Sequence, residues 1–175
     1  DVYFMWVGNL HIEIEKMVEH EVKSNKNIIF QSALKDVALF YAGADIFLLT
    51  SREDPFPAVI LEAMDVGLPV IGFSDAGGFM DIVNADTGVL VPYMDVTAMA
   101  KEIVSLLADS QRRRMLEGNT QKLIEEKFNF TDYVYRLLAL LGHEFKKVSV
   151  IIPNYNYEKY LKLRINSVLK QTYPV

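Results

Sequence analysis

Two acidic side chains eight positions apart, Asp54 and Glu62, are the residues of this chain best placed to do chemistry. They stand in the run Ser51-Arg52-Glu53-Asp54-Pro55-Phe56-Pro57-Ala58-Val59-Ile60-Leu61-Glu62-Ala63-Met64. Ionised carboxylates accept hydrogen bonds from hydroxyl groups and offer nothing to a phosphate. A phosphate is served instead by the unpaired N–H groups and positive end of a helix. If a helix opens within this run, Asp54 and Glu62 lie roughly 12 Å apart along its axis. That is about the span from a hexose to a ribose across a diphosphate. Asp54 is expected to cap the helix, with Pro55 at its first position. Pro55 and Pro57 carry no N–H, which leaves Phe56, Ala58 and Val59 as donors. The pattern suits a sugar joined to a phosphate, with Glu53 as an alternative acceptor beside Asp54. An ordinary capped helix with one exposed glutamate has the same spacing.

The elements around this run must hold it. Short apolar segments at Val2–Val7, Asn27–Phe30, Ile46–Leu49, Pro69–Gly72 and Gly88–Val91 read as strands. Helical segments at Ile12–Glu21, Asp36–Ala42, Pro57–Val66 and Gly78–Val83 separate them. The strands are apolar without alternation, as in a parallel sheet covered on both faces. Such strand–helix alternation predicts an α/β fold, a Rossmann-like doubly wound parallel sheet. Three further helices follow, opening at Asp95, Ser110 and Thr131 and ending at Gly142. His143–Lys147 is a polar link. Val148–Ile152 then restarts as a β-branched strand, closed by Pro153 and followed by a helix over Glu158–Lys170.

In an open α/β sheet, ligands bind beyond the carboxyl ends of the strands. Gln31 to Leu34 follow one such end, as a base contact or an ordinary loop. Gly77 and Gly78 form a glycine turn that either lets backbone approach a sugar or phosphate or is a plain tight turn. His11, His20 and His143 are scattered without metal-ligand spacing.

Bulk properties narrow the classes. The 175 residues are 51% hydrophobic, ample for a packed core. A net charge of −5 with no basic stripe argues against nucleic acid as the partner. There is no cysteine, which excludes disulfides and thiolate metal sites. The longest apolar run, Ala38 to Leu49, is interrupted by Asp45 and is too short to span a membrane.

The segment from Asp54-Pro55-Phe56-Pro57 through Leu61-Glu62-Ala63-Met64 resembles the signature of the retaining GT-B glycosyltransferases described as glycosyl transferases group 1. The resemblance continues through Gly67-Leu68-Pro69-Val70-Ile71, Ala76-Gly77-Gly78-Phe79-Met80-Asp81-Ile82-Val83 and Thr87-Gly88-Val89-Leu90-Val91-Pro92, and covers residues 1–142. It implies a donor-binding lobe, with catalytic roles for Asp54 and Glu62. Glu62 would grip the nucleotide ribose. Asp54, Glu53, Phe56, Pro57, Ala58, Val59, Gly77 and Gly78 would face the donor sugar and its phosphates, with Gln31 and Leu34 near the base. Asp54 stands where the family has glutamate. The partners implied are a nucleotide diphospho-sugar donor and a hydroxyl acceptor (sugar, glycan or lipid-linked), with no metal or other cofactor in this unit.

Val148-Ser149-Val150-Ile151-Ile152-Pro153 and Gln171-Thr172-Tyr173-Pro174 resemble the opening of a different family, the GT-A family-two glycosyltransferases. Residues 148–175 would then begin a second α/β domain after a linker at 143–147. Pro153, Asn154, Tyr155 and Asn156 would hold its nucleotide. Its divalent metal, Mn or Mg, would be bound by residues beyond Val175. The alternative is a terminal strand–helix unit of the first domain.

The family's leaving-group arginine and lysine have no counterpart here, since Val2–Val7 aligns with its second strand. A first, central strand would lie upstream, and a gap is expected between the strands at Val2–Val7 and Ile46–Leu49. The chain by itself is expected to be inactive, as part of a cytoplasmic parent enzyme of glycan or polysaccharide assembly that works at the inner face of the membrane through other segments. The rival readings are a non-catalytic nucleotide-sugar-binding module and a sugar-nucleotide epimerase of similar fold.

Overall fold

The computed structural model describes residues 1–144, 146, 148–152 and 158–171, and leaves aside the side chains of 17, 20–23 and 158. Two compact units emerge, Asp1–Lys122 and Leu123–Val175.

The first unit alternates strand and helix as the apolar pattern requires. Its elements are β1 (Phe4–Val7), α1 (Ile12–Ser24), β2 (Ile28–Gln31), α2 (Ala38–Ala42), β3 (Phe47–Leu49), α3 (Ala58–Asp65), β4 (Val70–Phe73) and β5 (Gly88–Val91). A 3-10 turn, Gly78–Asp81, stands between β4 and β5, and α4 (Val96–Ala108) follows. The long helix α5 (Ser110–Lys127) runs across the boundary of the two units.

All strand pairing is parallel, in two separate sheets. One holds β1 and β2, with Met5 opposite Ile29. The other holds β3, β4 and β5 in that order, with Leu48 opposite Ile71 and Ile71 opposite Val89. Among the described residues no ladder joins β1 to β3. This is the interruption expected between the strands at Val2–Val7 and Ile46–Leu49.

The core sits around β4, where Val70, Ile71, Gly72 and Phe73 are all buried. Both faces of this strand are covered, so every position tolerates only apolar or small residues. Helix α3 buries Ile60, Ala63 and Met64, one stripe at helical spacing. Helix α4 adds Met99, Ile103 and Leu106. Asp95 caps α4 as the sequence indicates, its Oδ1 accepting the Ala98 N–H at 2.8 Å. By contrast β1 carries Phe4, Met5 and Trp6 at 43, 50 and 47% exposure.

Helix α5 opens at Ser110 as expected, with Asp109 before it accepting the Arg112 N–H at 2.8 Å. Helix α6 (Phe130–Leu140) opens one residue before the expected Thr131, with Asn129 as its cap accepting from the N–H groups of Thr131 and Asp132. In each case the upstream residue carries a short side-chain carbonyl oxygen that reaches the first-turn amides.

In the second unit, α6 ends at Leu140, and Gly142, two residues on, has the φ of 80° expected of a glycine closing a helix. Helix α7 (Glu158–Leu169) matches the helix read over Glu158–Lys170. Val148–Ile152 forms no strand among the described residues, against the expectation. A β-branched run is a strand only where a neighbouring strand takes its backbone hydrogen bonds, and no ladder includes this one. Pro153, Asn154, Tyr155 and Asn156 lie outside the described residues.

Candidate functional site

Helix α3 opens later than its sequence suggests. Its first residue is Ala58, and Pro57 is the N-cap with ψ of 121° and no side-chain capping bond. Asp54 therefore does not cap it. Two prolines explain the delay. Each disfavours helical backbone at the residue before it, so Asp54 and Phe56 are both driven toward extended conformation.

The extended segment pairs with the glycine loop. The Asp54 N–H donates to the Ala76 carbonyl at 2.8 Å, and Asp54 and Gly77 form an isolated parallel bridge. The Gly78 N–H donates to the Pro55 carbonyl at 2.9 Å. The approach is close enough to demand glycine. A Cβ on Gly77 would fall 1.7 Å from the Asp54 carbonyl oxygen, and one on Gly78 would fall 2.4 Å from that of Pro55. Gly77 also has φ of 149°. Fully buried Phe79 anchors the loop in the core.

This pairing shapes a cleft of about 410 Å³ lined by Arg52, Glu53, Asp54, Pro55, Asp75, Ala76, Gly77 and Tyr93. The lining comes from segments just after the carboxyl ends of β3, β4 and β5. Three carboxylates and one guanidinium face it, with Tyr93 set edge-on to Phe73 at 6.4 Å between ring centroids. No ion pair joins Arg52 to Glu53 among the described residues. The cleft is a set of hydroxyl acceptors beside an aromatic ring, which suits a polyol.

Glu62 lies outside the cleft lining, on the exposed face of α3. Ala58 and Val59, four and three residues before it, are exposed too. Glu62 thus shares a helix face with the first turn, whose amides have no intrahelical acceptor. The Ile60 N–H is taken by the Pro57 carbonyl at 3.1 Å. Glu62 is not in packed core. Its Oε2 accepts the Tyr41 hydroxyl at 3.1 Å. Burial first, and then the bond to Glu62 and its negative charge, push the Tyr41 hydroxyl up to about 12.

Of the residues singled out from sequence, Glu53, Asp54 and Gly77 meet in the cleft, and Gly78 stands beside it against Pro55. Phe56 is exposed next to it and Pro57 is buried at the helix start. Ala58, Val59 and Glu62 form the exposed α3 face. Gln31 and Leu34 belong to the end of β2 and its following loop, apart from the cleft lining. The Gln31 amide donates to the Ser32 carbonyl at 3.3 Å.

Three residues were missed. Asp75 and Tyr93 follow the carboxyl ends of β4 and β5 by two residues each, so the strand-end rule would have found them. Tyr41 has no local signal, because its relation to Glu62 exists only once α2 packs on α3. Among the described residues, no group of three or more His, Asp or Glu is arranged to hold a metal ion. No helix among them is long and apolar enough to cross a membrane. A second depression of about 430 Å³ lies along α7 and is lined by Tyr160, Leu163, Arg164 and Ser167 of that helix alone.

Parallel strands with a cleft at their carboxyl ends, lined by acidic residues just before a helix start, define a Rossmann-like α/β domain. The family model described as glycosyl transferases group 1 matches residues 1–109, more than half of the chain, and the chain belongs to that family. It is 26% identical over 151 residues to the capsular polysaccharide biosynthesis glycosyltransferase CapM of Staphylococcus aureus, covering 85% of this chain and 40% of CapM. It is 32% identical over 123 residues to N-acetyl-alpha-D-glucosaminyl L-malate synthase of Bacillus anthracis, covering 70% of this chain and 29% of that enzyme. Among solved structures, HepE of Anabaena in complex with UDP-glucose superposes with a TM-score of 0.73 at 25% identity, covering 81% of this chain and 41% of HepE. The chain thus spans well under half the length of these relatives.

Proposed function

We propose that this chain supplies the donor-binding lobe of a retaining GT-B enzyme that moves a sugar from a nucleotide diphospho-sugar to a hydroxyl acceptor in glycan or polysaccharide assembly. The observation that carries the reading is the exposed face of α3, a helix that opens after the carboxyl end of β3 and carries Glu62 one turn after its start. Family membership supports it, as does the UDP-glucose bound by the similar HepE.

In this reading Glu62 accepts from the ribose hydroxyls. The Ala58 and Val59 amides and the helix dipole stabilise charge that grows on the leaving diphosphate, a preorganised electrostatic effect. Asp54 and Glu53 orient the sugar hydroxyls, and the Gly77–Gly78 backbone permits close approach. The bond between the sugar C1 and the diphosphate oxygen breaks, and the acceptor oxygen bonds to C1. The hydroxyl proton leaves with the nucleoside diphosphate as the second product. Gln31 and Leu34 are proposed to lie toward the base. The acceptor and any contact with the inner face of a membrane belong to parts of the enzyme not represented in these residues. No metal or cofactor is assigned to the chemistry of this unit.

Residues 148–175 are proposed to open a second, GT-A family-two unit after a linker at 143–147. The support is the motif at Val148–Pro153 and the helix α7 that follows. Its Mn or Mg would be bound elsewhere.

The test is release of nucleoside diphosphate by the full natural chain when acceptors are added to nucleotide sugar. A binding-only module would bind the donor and release nothing. An epimerase would interconvert nucleotide sugars without any acceptor. Either outcome defeats the reading.

A further inference from the structure

Tyr41 is the one described side chain found to bond Glu62, and neither composition nor spacing ties the two together. Its ring sits edge-on to Phe47 of β3, 5.9 Å between centroids and 64° between planes. Its backbone is held in α2, where the Tyr41 N–H donates to the Val37 carbonyl at 3.2 Å. The phenol is thus braced by both the strand and the helix that precede the acidic loop. Its neighbour Leu39 is 83% exposed, so α2 as a whole is not buried. The tyrosine reaches α3 through its hydroxyl.

The consequence falls on Glu62. A glutamate on an exposed helix face samples many rotamers, and ordering it on ligand binding opposes binding. A hydroxyl donor at Oε2 removes part of that freedom beforehand. It occupies one oxygen and leaves Oε1, with its lone pairs, to accept from a vicinal diol. Resting on the reading of Glu62 as the ribose acceptor, we propose that Tyr41 is a positioning residue: its hydroxyl holds Oε2 so that Oε1 is aimed at the ribose of a nucleoside diphosphate. The phenol is a suitable fixed donor because it stays protonated throughout the neutral range and well above it.

A packing role for Tyr41 would affect all nucleotides alike, whereas a positioning role acts only through the ribose hydroxyls. The experiment is calorimetric binding to the full natural chain of UDP, GDP and ADP, followed by the 2′,3′-dideoxy analogue of whichever binds tightest. Wild type is expected to prefer the ribo form by about 10-fold, the scale of losing a hydrogen bond to a charged group. Glu62→Gln should reduce that preference to about 2-fold or less. Tyr41→Phe keeps the ring and should likewise reduce it to about 2–3-fold, with the melting temperature little changed and the dideoxy affinity unaltered. The double variant should lose no more than Glu62→Gln alone, since the two groups act as one.

If Glu62→Gln abolishes the preference and Tyr41→Phe leaves it intact, the positioning role is overturned while the ribose reading stands. If Glu62→Gln leaves the preference intact, or if no nucleoside diphosphate binds, the ribose reading fails and takes this inference with it. If Tyr41→Phe lowers ribo and dideoxy affinity equally, Tyr41 is a packing residue and the inference is wrong.

Discussion

Glu62 and Asp54 share a charge and differ in everything around them. Glu62 is on an open helix face with one hydroxyl partner, and Asp54 is half-buried, its backbone tied to the glycine loop. Glu62 is therefore the more sensitive to isosteric change. Glu62→Gln is expected to weaken nucleoside diphosphate binding by about 10-fold, equivalent to roughly 1.4 kcal/mol, as read by calorimetry. Gly77 is the residue with least latitude. Gly77→Ala should cost about 2–3 kcal/mol of stability, because its methyl would collide with the Asp54 carbonyl oxygen and its φ is one L side chains rarely adopt. Urea unfolding measures this, and an unchanged midpoint would show that the loop relaxes freely. Tyr41 adds a pH signature. Its hydroxyl is raised from 10.0 to about 12 on folding, so the native state retains a proton that the unfolded chain releases. The associated stabilisation is complete below pH 10 and is lost as pH climbs toward 12. Wild type should lose stability relative to Tyr41→Phe across that window in thermal melts. Parallel curves for the two proteins would contradict it.

At the level of elements, the helices are closed by side chains that can be removed singly. The α4 helix is secured at both ends. Asp95 takes the Ala98 amide at one, and at the other the Arg113 guanidinium donates to the carbonyls of Leu106 and Leu107. Arg113 also lies 3.9 Å from Asp45, and Arg112 lies 3.5 Å from Glu102. The Arg112-Arg113-Arg114 run is thus partly a closure for α4. Asp95→Ala is expected to cost about 1 kcal/mol by loss of the cap. Differential scanning calorimetry would register this as a lower melting temperature. A melting temperature equal to wild type would mean that water replaces the carboxylate without loss. The α3 start is the element-level lesson of the site. A capping-type residue followed by proline reads as a helix N-terminus, yet the second proline at position 57 moved the start to Ala58 and released Asp54 into a strand-like bridge.

At the scale of the whole chain, the two sheets differ in how well they are covered. All four residues of β4 are buried, whereas three of the four in β1 are exposed. Opening free energies follow such local burial. Hydrogen exchange should therefore show β4 amides as the most protected of the strands, with β1 and β2 exchanging at least 10-fold faster, about 1.4 kcal/mol in local opening energy. Equal protection in both sheets would mean that they open as one cooperative unit. The interruption between β1 and β3 was expected from the resemblance alone, which places a further strand between them. Strand, helix and core positions were legible for a local reason: apolar runs and helical stripes report burial directly. Val148–Ile152 marks the limit, since β-branched composition permits a strand but only a partner makes one.

The sequence by itself determined the parallel α/β alternation, the buried β4, the Asp95 cap and the acidic pair. Each is encoded by side chains close together along the chain, where spacing and backbone preference act alone. Tertiary structure decided the rest: that Asp54 pairs with the glycine loop and does not cap α3, that Asp75 and Tyr93 share its cleft, and that Tyr41 reaches Glu62 from 21 residues away. Those outcomes depend on which carboxyl ends of strands lie side by side and which helix packs on which. No local window holds that information, because it arises only when distant segments bury their apolar surfaces together.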